Sequence, residues 1–246
     1  MNTIEFYQNN FNEDNRLSLG DNRHKVELYR KRFLYHTLIE KYQPKNILQI
    51  ACGTGIHTKW LYENYPQIDI IATDLVPKHI KHINYVKSMV WDCCDKLPDT
   101  FEHFDMVLVE GAWYHMKDKT PLIKNLKQLN PQVIVIDWLS AWHDYSQRLF
   151  QDKKLPLDYA NPRPNEPFVF DTEQSISLLS DLDYNIKLYP VDTDLRFGYV
   201  DLNNVADNIF NQYIEEMNKN IGFYDVNQTF IMNATEHGCY VMVKDK

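Results

Sequence analysis

Short apolar runs and longer mixed stretches take turns along the first half of the chain. The apolar runs are Asn46–Ile50, Ile68–Thr73, Tyr85–Trp91, Phe104–Val109 and Gln132–Asp137. Runs of this length, rich in Ile and Val and bounded by turn residues, predict strands. Val133-Ile-Val-Ile136 shows no polar alternation. It therefore predicts a strand buried on both faces, as in parallel sheets. The stretches between carry helical spacing. Residues 22–41 place Val26, Tyr29, Phe33, Leu34 and Leu38 on one face, and Pro44 stops that helix. A second helix is expected over about 55–64. A third begins at Thr120-Pro121, read as an N-cap followed by proline at the first helical position. Its stripe is Leu122, Ile123, Leu126 and Leu129, and Asn130-Pro131 ends it.

One strand and one helix per roughly 20 residues is the rhythm of a doubly wound α/β sheet. Beyond residue 140 the pattern loosens. Pro156, Pro162, Pro164 and Pro167 predict a long loop over 151–168. Asp171-Thr-Glu-Gln opens a helix, Tyr184–Pro190 gives a sixth strand, a helix spans about 203–219, and Cys239–Lys244 closes the sheet. The expectation is a Rossmann-like, seven-stranded, mostly parallel sheet with helices on both faces. Residues 1–45 form an N-terminal arm and helix of the same domain. Residues 46–246 form the ligand-binding body, with cap elements around 140–170 and 200–235.

Composition narrows the function classes. The 246 residues are 44% apolar, ordinary for a globular core. A net charge of −8 offers no basic footprint, so nucleic acid is not expected as a partner. The four cysteines, Cys52, Cys93, Cys94 and Cys239, form no Cys-x-x-Cys pair, which suits a reduced, cytoplasmic protein. Met1–Phe6 has no basic flank or apolar core of a signal peptide, and no apolar run approaches the ~18 residues a membrane span needs. No membrane partner is expected. His79 and His82 lie one helical turn apart without a third ligand at a telling spacing, so no metal is expected. Oligomeric state leaves no mark in the sequence.

The chemistry concentrates in the turn after the first strand, Ala51-Cys-Gly-Thr-Gly55. A glycine-rich strand-to-helix turn lets backbone approach a ligand where side chains would collide. Asp74 ends the next strand 21 residues after Gly53, placed for a ribose diol. Asp92 and Glu110 follow at intervals of 18 residues, each closing an apolar run. Successive strand ends share one edge of a parallel sheet, where open α/β sheets bind ligands. A nicotinamide fingerprint would carry a third glycine where this chain has Thr58, which disfavours an NAD-dependent oxidoreductase.

The pattern Ala51-x-Gly53-x-Gly55 resembles motif I of class I S-adenosylmethionine (SAM) dependent methyltransferases. Leu97-Pro98 after Asp92 and Gly111-x-x-Tyr-His115 after the fourth strand resemble the subset acting on small molecules, as does Tyr7 through Phe11-Asn-Glu-Asp-Asn-Arg-Leu17. The resemblance covers about residues 1–140. It implies SAM as cofactor and S-adenosylhomocysteine (SAH) as product, held by Gln49, Ala51, Gly53, Gly55, Asp74, Leu75, Asp92, Cys93 and Glu110. In that family the residue matching Asp74 holds the ribose, and the residue matching Asp92 accepts from the adenine amino group beside the Cys93 amide. Two positions depart from the family. Gln49 stands where a carboxylate helps hold the methionine ammonium, and Ala51 replaces the first glycine. The alanine methyl is harmless at negative φ and costs of order 1 kcal/mol at positive φ.

Methyl transfer from a sulfonium is an in-line displacement, so positioning of the nucleophile carries much of the catalysis. A base helps where the acceptor is a hydroxyl or an ammonium. His115 has the right ordinary pKa for that role, and Tyr114 would shape the pocket beside it. Tyr7, Arg16, Trp138 and His143 are candidate acceptor contacts, Arg16 as a bidentate partner for a carboxylate or phosphate. His57 is expected to cap the motif I helix. The expected activity is methylation of a small-molecule acceptor at oxygen or nitrogen. The alternative is a catalytically inactive SAM- or SAH-binding protein with a regulatory role, and Gln49 is the feature that supports it.

Overall fold

The computed structural model describes residues 22–113, 116, 118–139, 172–190, 224–225 and 237–244. In chain order the elements are α1 (Asn22–Tyr42), β1 (Asn46–Ile50), α2 (Ile56–Asn64), β2 (Asp69–Asp74), α3 (Pro77–Ile80), β3 (Lys87–Val90) and β4 (Met106–Val109). Then follow α4 (Thr120–Leu129), β5 (Val133–Leu139), α5 (Thr172–Ser180), β6 (Asn185–Pro190), β7 (Tyr224–Asp225) and β8 (His237–Val243). The strands form one sheet in the order β3-β2-β1-β4-β5-β8-β6-β7. Strands β1 to β5 pair in parallel, whereas β8 runs antiparallel between β5 and β6. The seven expected strands are all there. A two-residue strand, β7, extends the edge beyond β6. The expected helix over 203–219 lies outside the described residues.

Period-two alternation sorts the sheet residues onto two cores. Leu48, Ile50, Val107, Val109, Ile134 and Ile136 meet α4 and α5 through Leu122, Leu126 and Leu179. Ile47, Met106, Leu108, Val133 and Val135 meet α1 and α2 through Leu34, Leu38 and Leu61. Burial on both faces explains why these strands read as unbroken apolar runs.

The inward face of α1 is rotated from the expected one. Leu34, Tyr35, Leu38 and Ile39 are buried, while Phe33 is 37% exposed. Arg30 and Lys31 lie on the buried side too. In the sheet-facing stripe, Lys31 and Tyr35 are one turn apart, so both reach the same patch of sheet. At α4 the cap shifts by one residue. Lys119 is the N-cap, Thr120 opens the helix, and Asp118 Oδ1 accepts from the Thr120 amide at 2.9 Å. Asn130 ends the helix as expected, in the left-handed conformation.

Candidate functional site

The turn joining β1 to α2 is built from left-handed residues. Ala51 has φ 57°, Gly53 58° and Gly55 87°. Ala51 therefore sits in the strained branch, where an L-residue is disfavoured by roughly 1–2 kcal/mol. Gly55 has no alternative. A Cβ there would stand 2.8 Å from the Tyr85 hydroxyl and 2.9 Å from Ile83 Cδ1. Tyr85 also donates its hydroxyl to the Gly55 carbonyl at 3.1 Å, fixing the turn from the β3 side. Gly55 is the N-cap of α2, without a side-chain cap. His57 does not cap this helix; its ring packs edge-on against Tyr35, 5.5 Å between centroids.

Asp74, at the end of β2, holds the turn in place. Its Oδ2 accepts from the Gly53 amide at 2.8 Å, and its Oδ1 accepts from the Val76 amide at 2.8 Å. His79 Nδ1 lies 3.1 Å from the same Oδ1. A carboxylate has about four acceptor directions. Three are taken, leaving one on Oδ2. His79 is thus a buried partner of Asp74, while His82 is exposed. Leu75 follows Asp74 and is partly buried.

Asp92 follows β3 and turns one oxygen onto its own loop, where Oδ1 accepts from the Cys94 amide at 2.8 Å. Asn125 of α4 clamps this loop by donating to the carbonyls of Cys93 (2.9 Å) and Asp95 (2.7 Å). Cys93 is buried and Cys94 partly exposed. The donor atoms of Asp92, Cys93 and Cys94 lie within 4.8 Å of one another. A hydrogen bond to Cys94 pushes the Cys93 thiol up, with burial adding to it. The same bond lowers Cys94 against its own burial.

A buried polar network runs beneath the turn. Gln49 faces α1 and α2, on the same side of the sheet as Ile47. Thr58 of α2 donates its hydroxyl to Gln49 Oε1 at 2.6 Å. This fixes the amide so that Nε2 donates to Glu110 Oε1 at 2.8 Å. Tyr35 of α1 donates to the same oxygen at 2.9 Å. Beside it, Asp137 of β5 accepts from Lys31 at 2.7 Å and from the Gly111 amide at 3.2 Å. Burial raises the Glu110 carboxyl to about 7, against the lowering pull of Lys31, Tyr35 and Gln49. Burial, joined by Glu110, raises the Tyr35 hydroxyl well above its ordinary range, so it stays a donor.

Lys31 and Tyr35 were not among the residues expected at the site. A lysine in the apolar stripe of a helix is the signal that points to them, because a buried lysine needs a partner. Of the expected residues, Gln49, Ala51, Gly53, Gly55, Asp74, Leu75, Asp92, Cys93 and Glu110 converge at one sheet edge. Tyr7, Arg16, Tyr114, His115 and His143 lie outside the described residues, and Trp138 is described only as a strand residue. A concavity of about 540 Å³ lined by Asn130, Tyr184 and Lys244 lies at the opposite edge, away from this chemistry.

A methyltransferase-domain family model matches residues 21–186, well over half of the chain. The chain belongs to that family. The malonyl-(acyl-carrier protein) O-methyltransferase of Anoxybacillus flavithermus is 28% identical over 132 residues, covering 51% of this chain and 49% of the relative. The chain thus spans about half the length of that curated relative. Among solved structures, a SAM-dependent methyltransferase of Thermotoga maritima, described as a possible histamine N-methyltransferase, superposes with a TM-score of 0.64 at 12% identity, over 99% of this chain and 100% of its own. The plantazolicin methyltransferase, solved with SAH and a monoazolic desmethylPZN analogue, gives 0.59 at 17% identity, over 98% and 94%. A SAM-dependent methyltransferase of Archaeoglobus fulgidus gives 0.55 at 17% identity, over 90% and 94%. At these identities the likeness is one of fold. Among the described residues no helix is long and apolar enough to cross a membrane.

Proposed function

We propose that this protein transfers a methyl group from SAM to an oxygen or nitrogen of a small-molecule acceptor. One observation carries the reading. In a chain of the methyltransferase family, a turn of left-handed residues poor in side chains is clamped by Asp74. It shares its sheet edge with the strand-end carboxylates Asp92 and Glu110. The cofactor would lie across Ala51–Gly55, with Asp74 and Leu75 at the ribose and Asp92 and Cys93 at the adenine. When bound, it supplies a methyl carbon activated by the sulfonium. Gly53 and Gly55 leave room for backbone approach, and Asp74 keeps one acceptor direction open.

The acceptor side rests on residues outside the described ones. His115 is proposed to take the acceptor proton, with Tyr114 shaping the pocket and Tyr7, Arg16, Trp138 and His143 as acceptor contacts. Residues 1–21, 140–170 and 200–235 would close over the acceptor as arm and caps of a single domain. Two named relatives support a compact O or N nucleophile: one is an O-methyltransferase of a carrier-bound malonyl group, the other is described as a possible histamine N-methyltransferase. The net charge of −8 supports an acceptor other than nucleic acid.

Calorimetric titration with SAM, SAH and NAD tests the cofactor. Binding of SAM and SAH but not NAD, lost in Asp74→Ala, is the expected result. Transfer of labelled methyl from SAM to a panel of small amines, carboxylates and phenols tests the reaction, and His115→Ala is expected to lower kcat. SAM binding without turnover on any acceptor would favour a regulatory binder. No binding to folded, ligand-free protein would end the methyltransferase reading.

A further inference from the structure

Three carboxylates of the α1/α2 side crowd the ligand edge, and the structure gives each a different employment. Asp74 is spent on the turn, with the Gly53 and Val76 amides and His79 around it. Asp137 is neutralised by Lys31 at 2.7 Å, with both side chains about 5% exposed or less. Among the described residues Glu110 forms no ion pair; it accepts from two neutral side chains, Tyr35 and Gln49, and both bonds fall on Oε1. Its Oε2 takes neither bond, and the residue is partly exposed while Gln49 is fully buried. A carboxylate set in this way, anchored through one oxygen and open at the other, is arranged to receive a cation.

Resting on the reading above, we infer that Glu110 is the anionic anchor for the amino-acid ammonium of the cofactor, with Gln49 as its positioning residue. The anchor thus stands on the β4 edge, one strand over from motif I. Register places it there. Ile50 pairs with Val109, so Glu110 lies beside Ala51, where the left-handed turn begins. Thr58 is part of the device, because its hydroxyl occupies Gln49 Oε1 and leaves Nε2 to point at Glu110. The Gln49–Glu110 pair is an amide and a carboxylate of equal shape on adjacent strands.

The charged and titratable groups facing Glu110 among the described residues are Lys31 and Tyr35 of α1 and Asp137 of β5. Lys31 makes its ion pair with Asp137 and acts on Glu110 only through space, and Tyr35 stays neutral, so neither places a cation against Oε2. Burial holds the Glu110 carboxyl near 7. An ammonium brought to Oε2 has to draw off the remaining proton, so affinity rises with pH through that value.

The test compares SAH with 5′-methylthioadenosine, which keeps the adenosine and thioether but has no amino-acid end. For Glu110→Gln, SAH affinity falls at least about tenfold, as loss of a charge-assisted bond implies. Methylthioadenosine affinity stays within twofold. Wild-type SAH affinity climbs from pH 6 to 8 while that of Glu110→Gln does not. Equal loss of both ligands in Glu110→Gln, or no loss of SAH, overturns the assignment while leaving the cofactor reading intact. A wild-type protein that binds neither ligand overturns both.

Discussion

Lys31 and Asp137 lie 106 residues apart in sequence and 2.7 Å apart in space, both almost completely buried. The pair joins α1 to the end of β5. Removing one partner leaves a buried charge with reduced compensation, at a cost of about 3–5 kcal/mol. Lys31→Met and Asp137→Leu singly are therefore expected to lower the urea midpoint strongly. The double replacement is expected to cost clearly less than the sum. Additive losses would show that the two charges do not depend on each other.

Glu110 makes an opposite demand on stability and on binding. Its carboxyl is raised to about 7 in the folded state, mainly by burial, against an ordinary 4.5. Between those values the folded chain holds a proton that the unfolded chain has released. Stability from this group therefore falls as pH rises from about 4.5 to about 7 and is flat above. Glu110→Gln does not titrate. Without ligand it is expected to match wild type near pH 4.5 and exceed it at pH 8, by of order 1–3 kcal/mol. Thermal melts of the two proteins across that range check this; a constant difference would place the cause elsewhere.

The turn residues make opposing predictions. Ala51 bears a side chain at φ 57°, so Ala51→Gly relieves strain and is expected to stabilise by up to about 1 kcal/mol. At Gly55, φ 87° combines with a Cβ that would meet Tyr85 and Ile83. Gly55→Ala is expected to cost about 2–4 kcal/mol. Denaturant unfolding of the two variants reads both signs. An Ala51→Gly protein less stable than wild type would mean that the alanine methyl contributes packing exceeding its strain.

Cys94 is the thiol to react first. It is partly exposed and its pKa is lowered by a hydrogen bond from Cys93, whereas Cys52, Cys93 and Cys239 are buried. Iodoacetamide near neutral pH, followed by peptide mapping, is expected to find modification at Cys94 ahead of the other three. Cys93→Ala removes the donor and is expected to slow that alkylation. Unchanged kinetics in Cys93→Ala would show that exposure, not the vicinal thiol, governs the reaction.

Much of the fold was readable because its signals are local. Strands β1, β2, β4 and β5 begin and end within two residues of the apolar runs that announced them, since burial on both faces leaves no polar alternation to blur their limits. Gly53, Gly55, Asp74, Asp92 and Glu110 could be placed at one edge from spacing, because each closes a strand of a parallel sheet. What spacing did not carry was the employment of these groups. Asp74 reads as a free ribose carboxylate in sequence, yet it is mostly engaged in holding the Gly53 turn. Gln49 reads as the loss of a charge, yet its amide orients a carboxylate one strand away.

The order of apolar and polar residues was enough to set the sheet, its two buried faces and the position of the ligand edge, because these follow from short-range periodicity and turn chemistry. The same order left open the φ of Ala51, the rotation of α1 that turns Phe33 outward and Lys31 inward, and the partners of Asp137 and Glu110. Those depend on packing between residues 61 to 106 positions apart. Hydrogen bonds and charges across such separations exist only once the helices are seated on the sheet, and there burial gives them their strength.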